Sequence, residues 1–152
     1  MTHGGTVIRP VDARRFLYAG QPTAVLGEPT PGVDSLAAAE IVIPPSFAGP
    51  VPHVHHGFDE ALYVLEGVLL LTYGQADPVE APVGAFCMAP RGVRHTFANP
   101  AGTPARVLGL WSPGVAGLGF MRDIGAVLPP GGAPDPDLVA EIYHRHASEL
   151  LP

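Results

Sequence analysis

Proline and glycine interrupt this chain so often that no long regular element can run through most of it. The sequence carries 19 of each, and the apolar runs between them are short. Short apolar runs closed by turn formers at close intervals specify an all-β sandwich or barrel. The expected strands cover residues 7–8, 24–26, 36–43, 61–65, 68–73, 85–89, 95–98 and 105–111. Between them stand Glu28-Pro29-Thr30-Pro31-Gly32, Pro44-Pro45, Gly49-Pro50, Glu66-Gly67, residues 75–78, Pro90-Arg91-Gly92 and residues 99–103. Leu36-Ala37-Ala38-Ala39-Glu40 favours helix locally, but Ile41-Val42-Ile43 follows at once and Pro44-Pro45 stops it, so 36–43 reads as a strand. Glu66-Gly67 reads as a tight hairpin. Strands this short bury their inner faces only in two packed sheets or a closed barrel.

Only the C-terminus reads as helical. Asp135-Pro136-Asp137 supplies a cap, a proline at the first helical position and an acid in the first turn. The helix is expected over about 136–151, with Leu138, Ile142 and Leu150 along one stripe and residues 129–136 as a linker before it. His144 and His146 are two apart, so they face different directions and read as solvated surface, as does His3.

Composition narrows the function classes. A chain of 152 residues makes one domain, and 47% apolar residues with only 14% charged ones provide a core. Net charge is −6, lysine is absent, and the eight arginines are scattered apart from Arg14-Arg15. An acidic chain without a basic stripe is a poor partner for nucleic acid. The single cysteine, Cys87, forms no intrachain disulfide and lies in the apolar run 85–89, where it reads as a small buried hydrophobe. No basic region precedes an apolar core at the N-terminus, and no apolar run approaches the ~20 residues of a membrane span. The expectation is a soluble cytoplasmic protein, and the lysine-free, glycine- and proline-rich composition resembles that of a GC-rich bacterium.

Chemistry concentrates in Pro52-His53-Val54-His55-His56-Gly57-Phe58-Asp59-Glu60. On an extended chain His53 and His55 point one way and His56 the other. Glu60 opens the next strand and shares its face with Leu62 and Val64. Asp59 is out of phase with it. His95 heads another strand after the turn at 90–94. Three neutral imidazoles and a carboxylate suit Mn, Fe, Ni, Cu or Zn, and suit calcium or magnesium poorly.

These residues resemble the two motifs of the cupin superfamily. The first is present as His53, His55, Glu60 and Gly67, with Gly49 displaced by two residues from the opening glycine's usual place. The second is present as Gly84, Pro90, Gly92, His95 and Asn99. Leu110-Trp111-Ser112-Pro113-Gly114 and the final helix are similar to the tail of small quercetin-dioxygenase-like cupins. The resemblance implies an all-β double-stranded β-helix (jelly-roll barrel) with a short C-terminal helix and a core over about 36–113. It implies one divalent transition metal held by His53, His55, Glu60 and His95. Asn99 and the motif glycines then have shape roles. The activity implied is a quercetinase-like dioxygenase on a phenolic or enolisable small molecule, with Glu60 as both ligand and base. A non-redox isomerase or polyketide-type cyclase, or a metal-containing binding protein without turnover, carries the same motifs.

Phe47, Phe58, Phe86, Met88, Phe97 and Trp111 are candidates for the cavity wall. Phe97 is in phase with His95, and Trp111 ends its strand, whereas Tyr63 is out of phase with Glu60. Phe47, Phe97 and Trp111 are the expected substrate-lining set. Small cupins usually pair their barrels, so a homodimer is expected, with the apolar run 6–26 adding to a neighbour's sheet edge.

Overall fold

Alternation with period two builds the barrel wall. In β3 (Ala37–Ile43) and β10 (Ala105–Ser112) every second side chain is buried, so each strand turns one face inward. The computed structural model describes residues 5–29 and 35–152. His3 and much of the expected break at 28–32 lie outside the described residues. The remaining strands are β1 (Arg14–Tyr18), β2 (Gln21–Gly27), β4 (His53–His55), β5 (Asp59–Glu66), β6 (Leu69–Tyr73), β7 (Val79–Ala81), β8 (Phe86–Ala89), β9 (His95–Ala98) and β11 (Ser148–Leu150). Two helices, α1 (Gly114–Val127) and α2 (Pro136–Arg145), precede β11.

The strands form two antiparallel sheets, in the orders β1-β2-β3-β10-β5-β8 and β11-β4-β9-β6-β7. Their inner faces bury Ile41, Ile43, Leu62, Val64, Leu69, Leu71, Phe97 and Val107 in one core. Each such side chain contributes roughly 1.5–3 kcal/mol on burial. No helix among the described residues is long and apolar enough to cross a membrane.

Several local expectations are corrected. Residues 7–8 form no strand, and Val7 is 90% exposed. The N-terminal hairpin is instead β1 with β2. Arg14 and Arg15 disguised β1, because an edge strand tolerates charge on its open side. Glu66-Gly67 is no hairpin: β5 lies in one sheet and β6 in the other, so this turn carries the chain across the barrel. Turn residues encode the bend but not which strand becomes the neighbour.

The expected C-terminal helix stops at Arg145 rather than 151. Ala147, at φ 49, reverses the chain, and β11 pairs with β4. An otherwise bare edge of β4 needs hydrogen-bond partners, and that demand overrides the helical pattern. Leu138 is therefore exposed, while Ile142 and Tyr143 are buried.

Helix α1 was not expected, because Gly114, Gly117, Gly119 and Gly125 read as loop. A Cβ at Gly117 would lie 2.3 Å from the Trp111 Cβ. Glycine is required there for α1 to lie against the strand that carries Trp111.

Asn99 closes the barrel on the far side of β9. Buried to 1% exposure, its Nδ2 donates to the carbonyls of Thr103 (2.9 Å) and Pro44 (3.0 Å), and its Oδ1 accepts from the Ala101 N–H. Asn99→Ala strands these groups. Chemical denaturation should show a loss of about 3 kcal/mol, and a loss below about 0.5 kcal/mol would contradict the clamp.

Candidate metal centre

Strand register assembles the site. His53 lies opposite His95 across β4 and β9, and Glu60 lies opposite Trp111 across β5 and β10. Cross-strand neighbours have Cβ atoms about 5 Å apart, so pairing alone brings these side chains together. The four groups His53, His55, Glu60 and His95 are all buried. The ring centroids of His53 and His95 are 4.4 Å apart, those of His53 and His55 4.8 Å, and those of His55 and His95 5.3 Å. One ligand atom from each of the three imidazoles lies within 4.8 Å of the others.

Each imidazole is anchored through Nδ1. His53 bonds the Val51 carbonyl at 2.8 Å, His95 the Val93 carbonyl at 2.9 Å, and His55 the Ser148 hydroxyl at 2.7 Å. A carbonyl accepts only, so Nδ1 of His53 and His95 carries the proton and Nε2 keeps its lone pair. Nε2 of His55 and of His95 is buried without a hydrogen-bond partner. Glu60 Oε1 stands 3.5 Å from His95 Nε2 and its Oε2 stands 4.0 Å from His55 Nε2, charge contacts rather than hydrogen bonds. The Trp111 indole N–H donates to Oε2 at 2.9 Å.

Electrostatics follow from this packing. Burial lowers the His53 pKa to about 4, helped by neighbouring His95. Burial likewise takes His55 to about 3 against the opposing pull of Glu60. For His95 burial also works downward, but Glu60 and the Val93 carbonyl outweigh it and the pKa rises. Burial pushes Glu60 upward, yet His95, His55 and the Trp111 N–H hold it down at about 2. The site thus presents a carboxylate beside two imidazoles, His53 and His55, that burial keeps neutral, and a third, His95, that the carboxylate makes more basic. This N₃O donor set, with orphaned lone pairs, fits a divalent transition metal.

Residues 39–111 match the family described as "Cupin domain". The barrel has the cupin fold. KdgF from a Halomonas species shares 21% identity with this chain at a TM-score of 0.60, over 72% of this chain and 94% of that one. The polyketide cyclase RemF from Streptomyces resistomycificus shares 23% at 0.58, over 72% and 80%. A sugar phosphate isomerase of the cupin superfamily from Silicibacter pomeroyi shares 21% at 0.59, over 70% and 75%. At these identities the likeness is one of fold. No curated protein matches the chain.

Beside the imidazoles the cupin barrel holds a cavity of about 580 Å³. Phe47, Phe97 and Trp111 stand in its wall, as do His53 and Glu60. Phe58 does not; fully buried, it stacks on His55 at 4.3 Å and braces that ring. Phe86 and Met88 are 59% and 50% exposed, because β8 is an edge strand with an outward face. Cys87 on the same strand is half-buried rather than buried, and burial raises its pKa. His56 points away and approaches Glu149 at 3.6 Å, while Asp59 pairs with Arg91 at 3.0 Å. His144 is exposed, but His146 corrects the surface reading: it is half-buried and contacts Asp123 at 2.7 Å.

Sequence reasoning missed Ser148, Tyr18, Phe120 and Tyr143. The Phe120 ring lies 4.8 Å from His55, and the Tyr143 ring 5.1 Å from His53. Tyr18 and Tyr143 both line the cavity, and burial raises the pKa of each. They belong to terminal elements whose return to the barrel has no local signature.

Two outcomes follow. His95→Ala should strip the metal from the folded protein, and Ser148→Ala should weaken it about tenfold by freeing the His55 ring, whereas His56→Ala and His144→Ala keep it. Metal analysis and equilibrium titration check this, and full metal content in His95→Ala would refute the ligand set. The second concerns acid. Unfolded, His53 and His55 take up protons near pH 6.5; folded, they do so only near 4 and 3. Between these limits the unfolded state binds more protons, so stability falls as the pH falls. His95 works the other way, but its gain is complete by about pH 6.5. The melting temperature of chelator-treated protein should therefore drop by several degrees from pH 6.5 to 5, and an unchanged or higher value would contradict burial of neutral imidazoles.

Proposed function

We propose that this cupin is a metal-dependent enzyme acting on a neutral, largely apolar phenolic or enolisable molecule, with quercetinase-like dioxygenation as its reaction. One observation carries the reading. The cavity lined by Glu60 and His53 has otherwise mostly apolar and aromatic walls, and among the described residues no arginine lines it. Away from the metal-binding groups, a phosphate or carboxylate of the substrate would be buried unpaired, at a cost of several kcal/mol. A flat neutral ring system meets no such penalty.

His53, His55, His95 and Glu60 would hold the ion. A divalent metal held there would lower the pKa of a phenol or enol. The rest falls to the chain. Phe47, Phe97 and Trp111 pack a ring against the wall. Helices α1 and α2 supply Phe120, Met121, Ile124, Val139 and Tyr143 to the same cavity. Trp111 pins one oxygen of Glu60, leaving the carboxylate oriented to take a hydroxyl proton from the substrate.

A second reading, non-redox cyclisation or isomerisation, is favoured by Tyr18 and Tyr143. Two phenols facing the same cavity as a carboxylate can move protons without an oxidant. Oxygen-electrode traces with flavonols, catechols and enolisable diketones separate the readings. Oxygen uptake matching product one to one supports dioxygenation, and equal rates without oxygen support the alternative. In either case metal-loaded Glu60→Gln should turn over roughly 10²-fold more slowly. Near-full activity of that variant would leave Glu60 as a ligand only.

A further inference from the structure

The cavity is nearly all hydrocarbon apart from the metal-side groups, and its other buried polar groups are two phenols. Tyr18 of β1 and Tyr143 of α2 are each 4% exposed and line it. Among the described residues neither hydroxyl has a hydrogen-bond partner. Each hydroxyl is therefore free to donate to an acceptor held in the chamber. Their positions are well set. The Tyr18 ring lies 6.3 Å from Phe47, and the Tyr143 ring packs between Phe120 at 5.0 Å and His53 at 5.1 Å. Both tyrosines line the same chamber as Glu60.

We propose that Tyr18 and Tyr143 form a donor pair that binds the carbonyl oxygen of the ligand, so that the cavity selects ring compounds bearing a ketone. This deepens the reading of the cavity as the substrate site and rests on it. A phenol is an O–H donor at neutral pH, and a carbonyl oxygen has two lone pairs, one for each hydroxyl. Among the described residues no arginine stands beside the two phenols in the wall, so a neutral carbonyl, not a carboxylate, is the matching acceptor. Both tyrosines lie outside residues 39–111, so the selection belongs to the terminal segments and not to the matched cupin domain.

The test uses the metal-loaded protein and two probes with the same carbon frame, 1-tetralone with a ketone and tetralin without one. The single tryptophan, Trp111, stands in the cavity wall and reports binding by its fluorescence. Wild type should bind 1-tetralone about tenfold tighter than tetralin, the scale of one to two hydrogen bonds. Tyr18→Phe and Tyr143→Phe should each reduce that ratio, and the double variant should bring it near one. Tetralin affinity and metal content should stay unchanged throughout, which a merely structural role for the rings would not produce. Equal binding of both probes by wild type, binding of neither, or an unchanged ratio in the double variant would overturn the donor pair. A tyrosine-dependent ratio in a protein that turns over no phenolic or enolisable compound supports the pair and overturns the proposed reaction instead.

Discussion

Four ionisable side chains buried in an apolar barrel impose the constraint from which the rest of the site follows. Removing imidazoles and a carboxylate from water is expensive unless each polar atom finds a partner. Here Nδ1 of every ring is bonded, to Val51, Ser148 or Val93, and Trp111 holds Glu60. Those bonds also fix ring orientation, so that the remaining nitrogens of His55 and His95 are left facing the centre without partners. A cation bound there would recover what their burial costs. The β4–β9 and β5–β10 registers deliver the four groups, and the core beneath holds those registers.

Ligands and cavity come from different parts of the chain. All four candidate ligands lie within residues 39–111, the part that matches the cupin domain. Much of the remaining wall comes from Tyr18, α1, the segment 131–134, α2 and Leu150. Ser148, close to the C-terminus, even anchors one of the imidazoles. A shared barrel can therefore keep one ion-binding geometry while its chain ends define what enters, consistent with one fold hosting many activities.

The metal-side groups were legible because strand geometry is strictly alternating. The two-residue spacing of His53 and His55 places both inward and His56 outward, and the phase of Glu60 predicts burial of Leu62 and Val64; all of these positions behave so. The shape roles of Asn99 and Gly67 were legible from turn chemistry. What stayed hidden depends on tertiary contact. Helix α1 carries glycines that lower helix propensity and are retained because Trp111 leaves no room for a Cβ at Gly117. Strand β11 exists because β4 offers a bare edge, which no pattern in residues 148–150 announces. The turn at Glu66-Gly67 encodes a bend, and only the whole sheet arrangement decides that it links different sheets.

A crystal structure of metal-loaded protein, with anomalous scattering collected at the absorption edge of the bound metal, tests the central claim most directly. The account predicts one anomalous peak per chain, about 2.0–2.2 Å from Nε2 of His53, His55 and His95 and from a carboxylate oxygen of Glu60. A peak coordinated elsewhere, or coordinated through Nδ1 of these rings, would contradict it.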